Sequence, residues 1–258
     1  MSHVSPDADI AQRTYLGVQL YSVRDDLGPA DLGRTLGRLA AMGFTHVEPY
    51  RLLDHPDQLA GVLESTGLAA VTAHANVLSA DREALLAAAD RLGIGTVIVP
   101  WADPGRLHDR AAIEALAADL NDAARRAADQ GIRLGYHNHD FEFSQQAGGV
   151  PAYQVLVDAL DESVLLELDT HWASVGGADV FELIPRLGSR VRFLHVTNEP
   201  PDPGDPVRGT DLTGRMGEVL ALSRPFLEMP VVEVVVHDGD VFPVLQRNAG
   251  FFLHLARS

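Results

Sequence analysis

Met42-Gly43-Phe44-Thr45-His46-Val47-Glu48 carries the end of one element and the whole of the next. Glycine takes the left-handed conformation that ends a helix, and the residues after it open a strand closed by a carboxylate. The same punctuation recurs at Thr66-Gly67-Leu68, Leu92-Gly93-Ile94 and Gln130-Gly131-Ile132, at separations that each fit one βα unit. Repetition of helix, glycine and short strand predicts a parallel sheet.

Working outward, strands are expected at Leu16 to Tyr21, Thr45 to Glu48, Ala70 to His74, Thr96 to Pro100, Arg133 to His137, Val164 to Asp169, Val191 to Val196 and Val231 to Val236. They are short and largely apolar, as strands covered on both faces are. Between them Leu32, Leu36 and Leu39, then Ile113, Leu116 and Leu120, then Val180, Leu183, Ile184 and Leu187 fall at helical spacing. Eight such units in 258 residues predict an α/β fold, a single (β/α)8 TIM barrel over residues 15–258. A doubly wound open sheet satisfies the same alternation. Residues 1–14 read as a loose tail without a signal peptide's apolar stretch, and Glu199 to Gly209, rich in Pro and Gly, as a long loop after strand seven that could act as a lid.

Composition narrows the chemistry. No apolar run approaches the ~18 residues of a membrane span, so a cytoplasmic protein is expected. Without cysteine there is no disulfide, thiolate nucleophile or Cys-bound zinc, and any metal must be held by His, Asp and Glu. A net charge of −16, with Lys and Arg scattered, argues against nucleic acid as a partner.

In a barrel the reacting groups stand at the carboxyl ends of the strands. Here those ends carry Glu48, His74, the run His137, Asn138, His139 and Glu142, then Asp169 and His171, His195, and Glu233. Carboxylates and imidazoles together form the ligand set of Mn²⁺, Mg²⁺, Co²⁺ or Zn²⁺. Glu48 or His74 taken alone reads more readily as a loop's hydrogen-bonding partner. The run from Tyr136 to Glu142 does not, because so many polar residues closing a buried strand are costly without a ligand. Alternation in Leu166-Glu167-Leu168-Asp169-Thr170-His171-Trp172 sends Glu167, Asp169 and His171 to one face, with Asp169, at the strand end, favoured as the ligand. Trp101 and Trp172 read equally as core or as walls for a sugar's C–H face.

These segments resemble the xylose isomerase-like barrels, specifically the sugar phosphate isomerase/epimerase group, which includes inosose and dehydroshikimate dehydratases and endonuclease IV. The resemblance rests on Gly17 to Arg24, Gly43 to Glu48, His137 to Phe143, Leu168 to Trp172 with Gly176-Gly177, and Phe193 to Val196. It implies one divalent ion held by Glu142, Asp169, His195 and Glu233. Glu142 and Glu233 would also move the proton through an enediolate, with His139 aiding catalysis and Glu48, His74, His137, Asn138, His171, Trp172 and Arg215 around the substrate. A second register gives the ion to a strand-five histidine and leaves Glu142 to the substrate.

Two stretches depart from the group. His195-Val196-Thr197-Asn198 lacks the usual Lys-Asp after strand seven, and Glu233 and Asp238 replace a closer Glu/Asp pair on strand eight. The resemblance implies a sugar or polyol-derived carbonyl substrate and an isomerase or epimerase, with a lyase acting on a keto-sugar or keto-inositol as the alternative. Free sugar is favoured over phosphate, since only Arg208 and Arg215 in the late loop offer cations. Homo-oligomers, dimers and tetramers, are common in the group. An endonuclease is disfavoured by the charge, and a barrel that only binds sugar would fit the altered motifs.

Overall fold

The computed structural model describes residues 15–200, 210–235 and 239–255. The tail 1–14, most of the expected lid with Arg208, and Asp238 lie outside the described residues. Eight strands form one parallel sheet: β1 (Gly17–Gln19), β2 (His46–Glu48), β3 (Thr72–His74), β4 (Thr96–Val99), β5 (Arg133–His137), β6 (Leu165–Asp169), β7 (Val191–Val196) and β8 (Met229–Val232). Their order, β2-β1-β8-β7-β6-β5-β4-β3, is chain order around a ring. The seam between β2 and β3 is narrower, closed by a bridge from His46 to Ala69 and by Val47 N–H to Ala69 O at 2.9 Å and His74 N–H to Pro49 O at 2.8 Å. This is a (β/α)8 barrel, not an open sheet.

Helices α1 (Leu32–Ala41), α2 (Pro56–Thr66), α3 (Arg82–Arg91), α4 (Arg110–Ala128), α5 (Ala152–Ala159), α6 (Val180–Leu187), α7 (Met216–Ser223) and α8 (Phe242–Leu255) follow the strands in turn. Gly43, Gly67, Gly93 and Gly131 have φ of 98°, 74°, 72° and 75°, the left-handed geometry their positions demanded. The apolar stripes at Leu36, Leu39, Ile113, Leu116, Leu120 and Ile184 are fully buried against the outside of the barrel. Each such side chain contributes about 1.5–3 kcal/mol. None of the described helices is long and apolar enough to cross a membrane.

Two strand boundaries differ from expectation in ways that matter for the site. Gln19 turns its side-chain carbonyl to the Tyr21 N–H at 3.1 Å and caps a 3-10 turn at Leu20–Asp26, so β1 ends early. Pairing of Met229 with Phe193 starts β8 two residues before Val231 and through Pro230, which the valine run 231–236 had concealed. Glu233 is therefore the first residue beyond the strand.

The barrel holds a core of its own: Ile98, Phe193, Met229 and Val231, with Leu165 against them. Space for it comes from glycine. A Cβ on Gly135 would fall 2.5 Å from Ile98 Cδ1, and one on Gly17 3.2 Å from Met229 and Val231. Toward the amino-terminal end of the strands, Glu228 accepts from Arg133 at 2.7 and 2.8 Å and from Arg192 Nε at 2.8 Å. Gly135→Ala is expected to lose about 1–3 kcal/mol to overpacking, whereas Gly37→Ala, on α1 with nothing within 4 Å, should be neutral or stabilising. Urea unfolding of the two variants beside the wild type checks this.

Candidate active site

Strand register brings the polar ends together. Gln19 pairs with Glu48, His137 with Glu167, Asp169 with His195, and Val231 with His195, so the carboxyl ends of neighbouring strands carry most of the side chains singled out above. At their centre Glu48 Oε1 lies 2.9 Å from His195 Nε2 and 3.1 Å from His74 Nε2, and accepts from Gln19 Nε2 at 2.7 Å. Glu167 Oε2 lies 2.6 Å from His74 Nε2 and 3.2 Å from His195 Nε2. The other nitrogen of His195, Nδ1, faces outward, 3.0 Å from Glu233 Oε2 and 3.8 Å from Asp169 Oδ2.

Charge balance is set by burial. Burial pushes Glu48 up, as does the charge of Glu167; Glu167 is buried too, but His195 and His74 outweigh that and hold it well below the usual carboxylate range. Against the pull of burial, Glu48 and Glu167 raise His74, and Glu167 and Glu233 raise His195 well above its ordinary value. Burial and the neighbouring imidazoles lower His137 to about 3, leaving it neutral. Burial raises Asp169 to about 8, whereas for Glu233 the charge of His195 overcomes burial and brings it to about 2.

Two overlapping sets of ligand atoms, each within 4.8 Å of one another, result: His74, His137, Glu167 and His195, and nearer the surface His137, Asp169, His195 and Glu233. The second opens on a cleft lined by Asp169, His171, Trp172, His195, Thr197, Glu199 and Glu233. Its chemistry fits a divalent cation, which would displace protons from Asp169 and from His195 Nδ1 and meet the neutral His137 imidazole and the ionised Glu233 carboxylate. Buried atoms without a hydrogen-bond partner gather here as well: Glu48 Oε2, Glu167 Oε1, His137 Nδ1 and His139 Nδ1.

Of the four expected ligands, Asp169, His195 and Glu233 converge and Glu142 does not. Glu142 sits in the short helix Phe141–Ser144, where Oε1 accepts from Tyr136 Oη–H and Oε2 from His139 N–H, both at 2.8 Å. Burial raises it to about 7. His137, which ends the strand itself, stands with the other three, the arrangement that the second register of the strand-five motif expects. Gly176 lets the turn pack closely, since a Cβ there would overlap the Asp140 carbonyl oxygen.

The remaining candidates divide into groups near the cleft and groups that shape it. Asn138 spends its amide on the Asp169 backbone, Nδ2–H to O at 3.1 Å and Oδ1 from N–H at 3.0 Å, and so ties β5 to β6. Asp169 Oδ1 accepts from Trp172 N–H at 2.7 Å and caps the helix Thr170–Val175, which carries His171 and Trp172. His139 is mostly buried and lowered by that burial, its ring 5.8 Å from Trp172. Glu48 and His74 are buried beneath the cleft. Arg215 stands apart, exposed, paired with Glu218 at 2.9 Å and 3.8 Å above the Phe181 ring. Trp101 is 47% exposed and is not core. The sequence gives no role to Gln19, which stands within the opening motif, or to Glu167, although alternation puts Glu167 on the same face as Asp169.

The family description "Xylose isomerase-like TIM barrel" matches residues 36–221. The chain belongs to that family. No curated protein matches it in sequence. Among solved structures it is similar to a sugar phosphate isomerase/epimerase from Parabacteroides distasonis ATCC 8503, with 19% identity, a TM-score of 0.76 and coverage of 93% of this chain and 97% of that one. It is also similar to a xylose isomerase-like TIM barrel protein from Mycobacterium smegmatis in complex with magnesium, at 15% identity and TM-score 0.65, covering 95% and 97%. A probable 3-DHS dehydratase from Bacillus anthracis shares 13% identity at TM-score 0.68, covering 93% and 99%. At these identities the likeness is one of fold.

A raised carboxyl contributes stability below its unfolded value and loses it as the pH climbs through its folded value. For Asp169 that window runs from its ordinary 3.8 to about 8. In chelator, Asp169→Asn should therefore gain on the wild type across this range, by at least about 1 kcal/mol at its upper end, with urea unfolding at several pH values as the measurement.

Proposed function

We propose that this barrel is a divalent-metal-dependent sugar isomerase or epimerase that removes a proton next to a carbonyl. One observation carries the reading: His137, Asp169, His195 and Glu233 present their ligand atoms within 4.8 Å of one another at the carboxyl ends of adjacent strands. These four would hold the ion, which when bound polarises a carbonyl or hydroxyl oxygen and eases loss of the neighbouring proton. Mn²⁺, Mg²⁺, Co²⁺ and Zn²⁺ all suit such donors.

Glu233, ionised and on the cleft wall, is the proposed base. His139 is its partner in proton transfer, being neutral, close enough to feel the charge of Glu233, and equipped with an Nδ1 that makes no hydrogen bond. Trp172 and His171 provide a wall for the sugar ring. Glu142 takes a supporting place, holding the turn that carries His139. A free sugar is preferred to a phosphate because Arg215 is already paired, and the substrate is a small ketose or keto-polyol.

A second reading, elimination of a β-hydroxyl from a keto-sugar or keto-inositol, draws support from Glu142. Epimerisation asks for proton transfer on two faces of the carbon, and Glu142, spent on Tyr136 and His139, does not stand beside Glu233 as a second carboxylate of the ion set. Elimination needs one base and one acid. Proton NMR of ketoses and keto-inositols in D₂O, with protein charged with Mn²⁺ and exchanged into Mg²⁺, distinguishes the two. Deuterium uptake beside the carbonyl that chelator abolishes, and that Glu233→Gln slows at least ~100-fold, is the expected result. An enone product would select the lyase, and uptake indifferent to chelator would refute the metal-dependent mechanism.

A further inference from the structure

Glu167 is completely buried and is not among the residues lining the cleft, yet one of its oxygens lies within 3.3 Å of ring nitrogens of three histidines from three other strands. Oε2 is 2.6 Å from His74 Nε2, 3.2 Å from His195 Nε2 and 3.3 Å from His137 Nδ1. The rings are held against each other as well, His137 and His195 with centroids 4.6 Å apart and His74 stacked on His195 at 5.2 Å and 14°. Of the three, His137 and His195 belong to the set proposed for the ion.

An imidazole has two nitrogens, and the one engaged by a neighbouring acceptor decides which is left for a metal. At His195 the geometry is unambiguous: Nε2 faces Glu167 and Glu48, and Nδ1 faces Asp169 and Glu233. At His137 the oxygen 3.3 Å from Nδ1 limits rotation of the ring. Glu48 shares His74 and His195 with Glu167, and Glu167 is the one of the two that also lies against His137.

We infer that Glu167 is a positioning residue that turns the His195 Nδ1 lone pair and the His137 ring toward the ion. It acts through these histidines and touches neither ion nor sugar. A carboxylate two residues before the Asp169 ligand, on the same face of β6, is thus part of the ion site without being a ligand.

The test is Mn²⁺ affinity by competition with a chelator, for wild type, Glu167→Gln and Glu167→Asp, alongside thermal unfolding of each in chelator. Glu167→Gln should bind about 10–100-fold more weakly, and Glu167→Asp, which keeps the charge on a shorter arm, should recover part of the loss. Binding by Glu167→Gln within about twofold of wild type, or a loss matched by collapse of the metal-free fold and absent from the protein that remains folded, overturns the role. Should neither variant fold, nitrogen-15 NMR of the Zn²⁺-loaded wild type decides: metal on His195 Nδ1 with the proton on Nε2 is expected, and metal on Nε2 overturns it. The inference rests on the ion-binding reading of the preceding subsection. A wild type that takes up no ion overturns both, whereas equal binding by wild type and Glu167→Gln overturns this one alone.

Discussion

Four carboxylates meet at the mouth of this barrel with almost no water around them, and that constraint organises the upper half of the molecule. Glu48 and Glu167 are 0% exposed and Asp169 3%, with Glu233 beside them. Leaving such groups ionised and unpaired costs several kcal/mol each. The protein answers by interleaving His74 and His195, whose charged forms the carboxylates favour, by raising Asp169 to about 8, and by lowering His137 to about 3. The arrangement is stable only as a whole, because every member has two or more of the others as neighbours. It is also poised: a divalent cation satisfies the same carboxylates that protons and imidazolium groups satisfy in its absence.

The barrel makes the meeting possible. Parallel strands in fixed register bring Gln19, Glu48, Glu167 and His195 to the same end of the barrel, where their side chains meet. Beneath them Ile98, Phe193, Met229 and Val231 form a dry floor, admitted by Gly17 and Gly135. Above them the chain leaves β1 and β6 in short turns capped by the side chains of Gln19 and Asp169, and both cap residues are themselves part of the site. Caps and ligands are therefore the same residues in part: Asp169 caps a helix with Oδ1 and offers Oδ2 to the cleft.

Much of this was legible in the residues. The glycine punctuation placed the helix ends, and the apolar runs placed eight strands, two of them to the residue, at Arg133–His137 and Val191–Val196. Strand ends then named seven of the side chains that gather at the mouth. What stayed hidden has physical reasons. Pro230 and the valine run beyond it concealed the start of β8, because pairing with Phe193, not local pattern, decides where a strand begins. Glu142 looked like a ligand because a glutamate just after a strand usually can reach inward; hydrogen bonds from the Tyr136 hydroxyl and the His139 amide turn it aside instead. Glu167 was seen on the correct face but given no role, since which of two carboxylates on one face meets solvent depends on barrel depth. Arg215 was placed by its loop alone, and its partners, Glu218 and Phe181, lie on neighbouring helices.

The central claim is that a divalent ion is held by His137 in company with Asp169, His195 and Glu233, and not by Glu142. Crystals grown with Mn²⁺ and measured at the manganese absorption edge test it most directly. The account predicts a single anomalous peak about 2.0–2.3 Å from donor atoms of those four residues, with Glu142 still bonded to Tyr136. A peak bonded to Glu142, or bound metal elsewhere on the barrel, would contradict it.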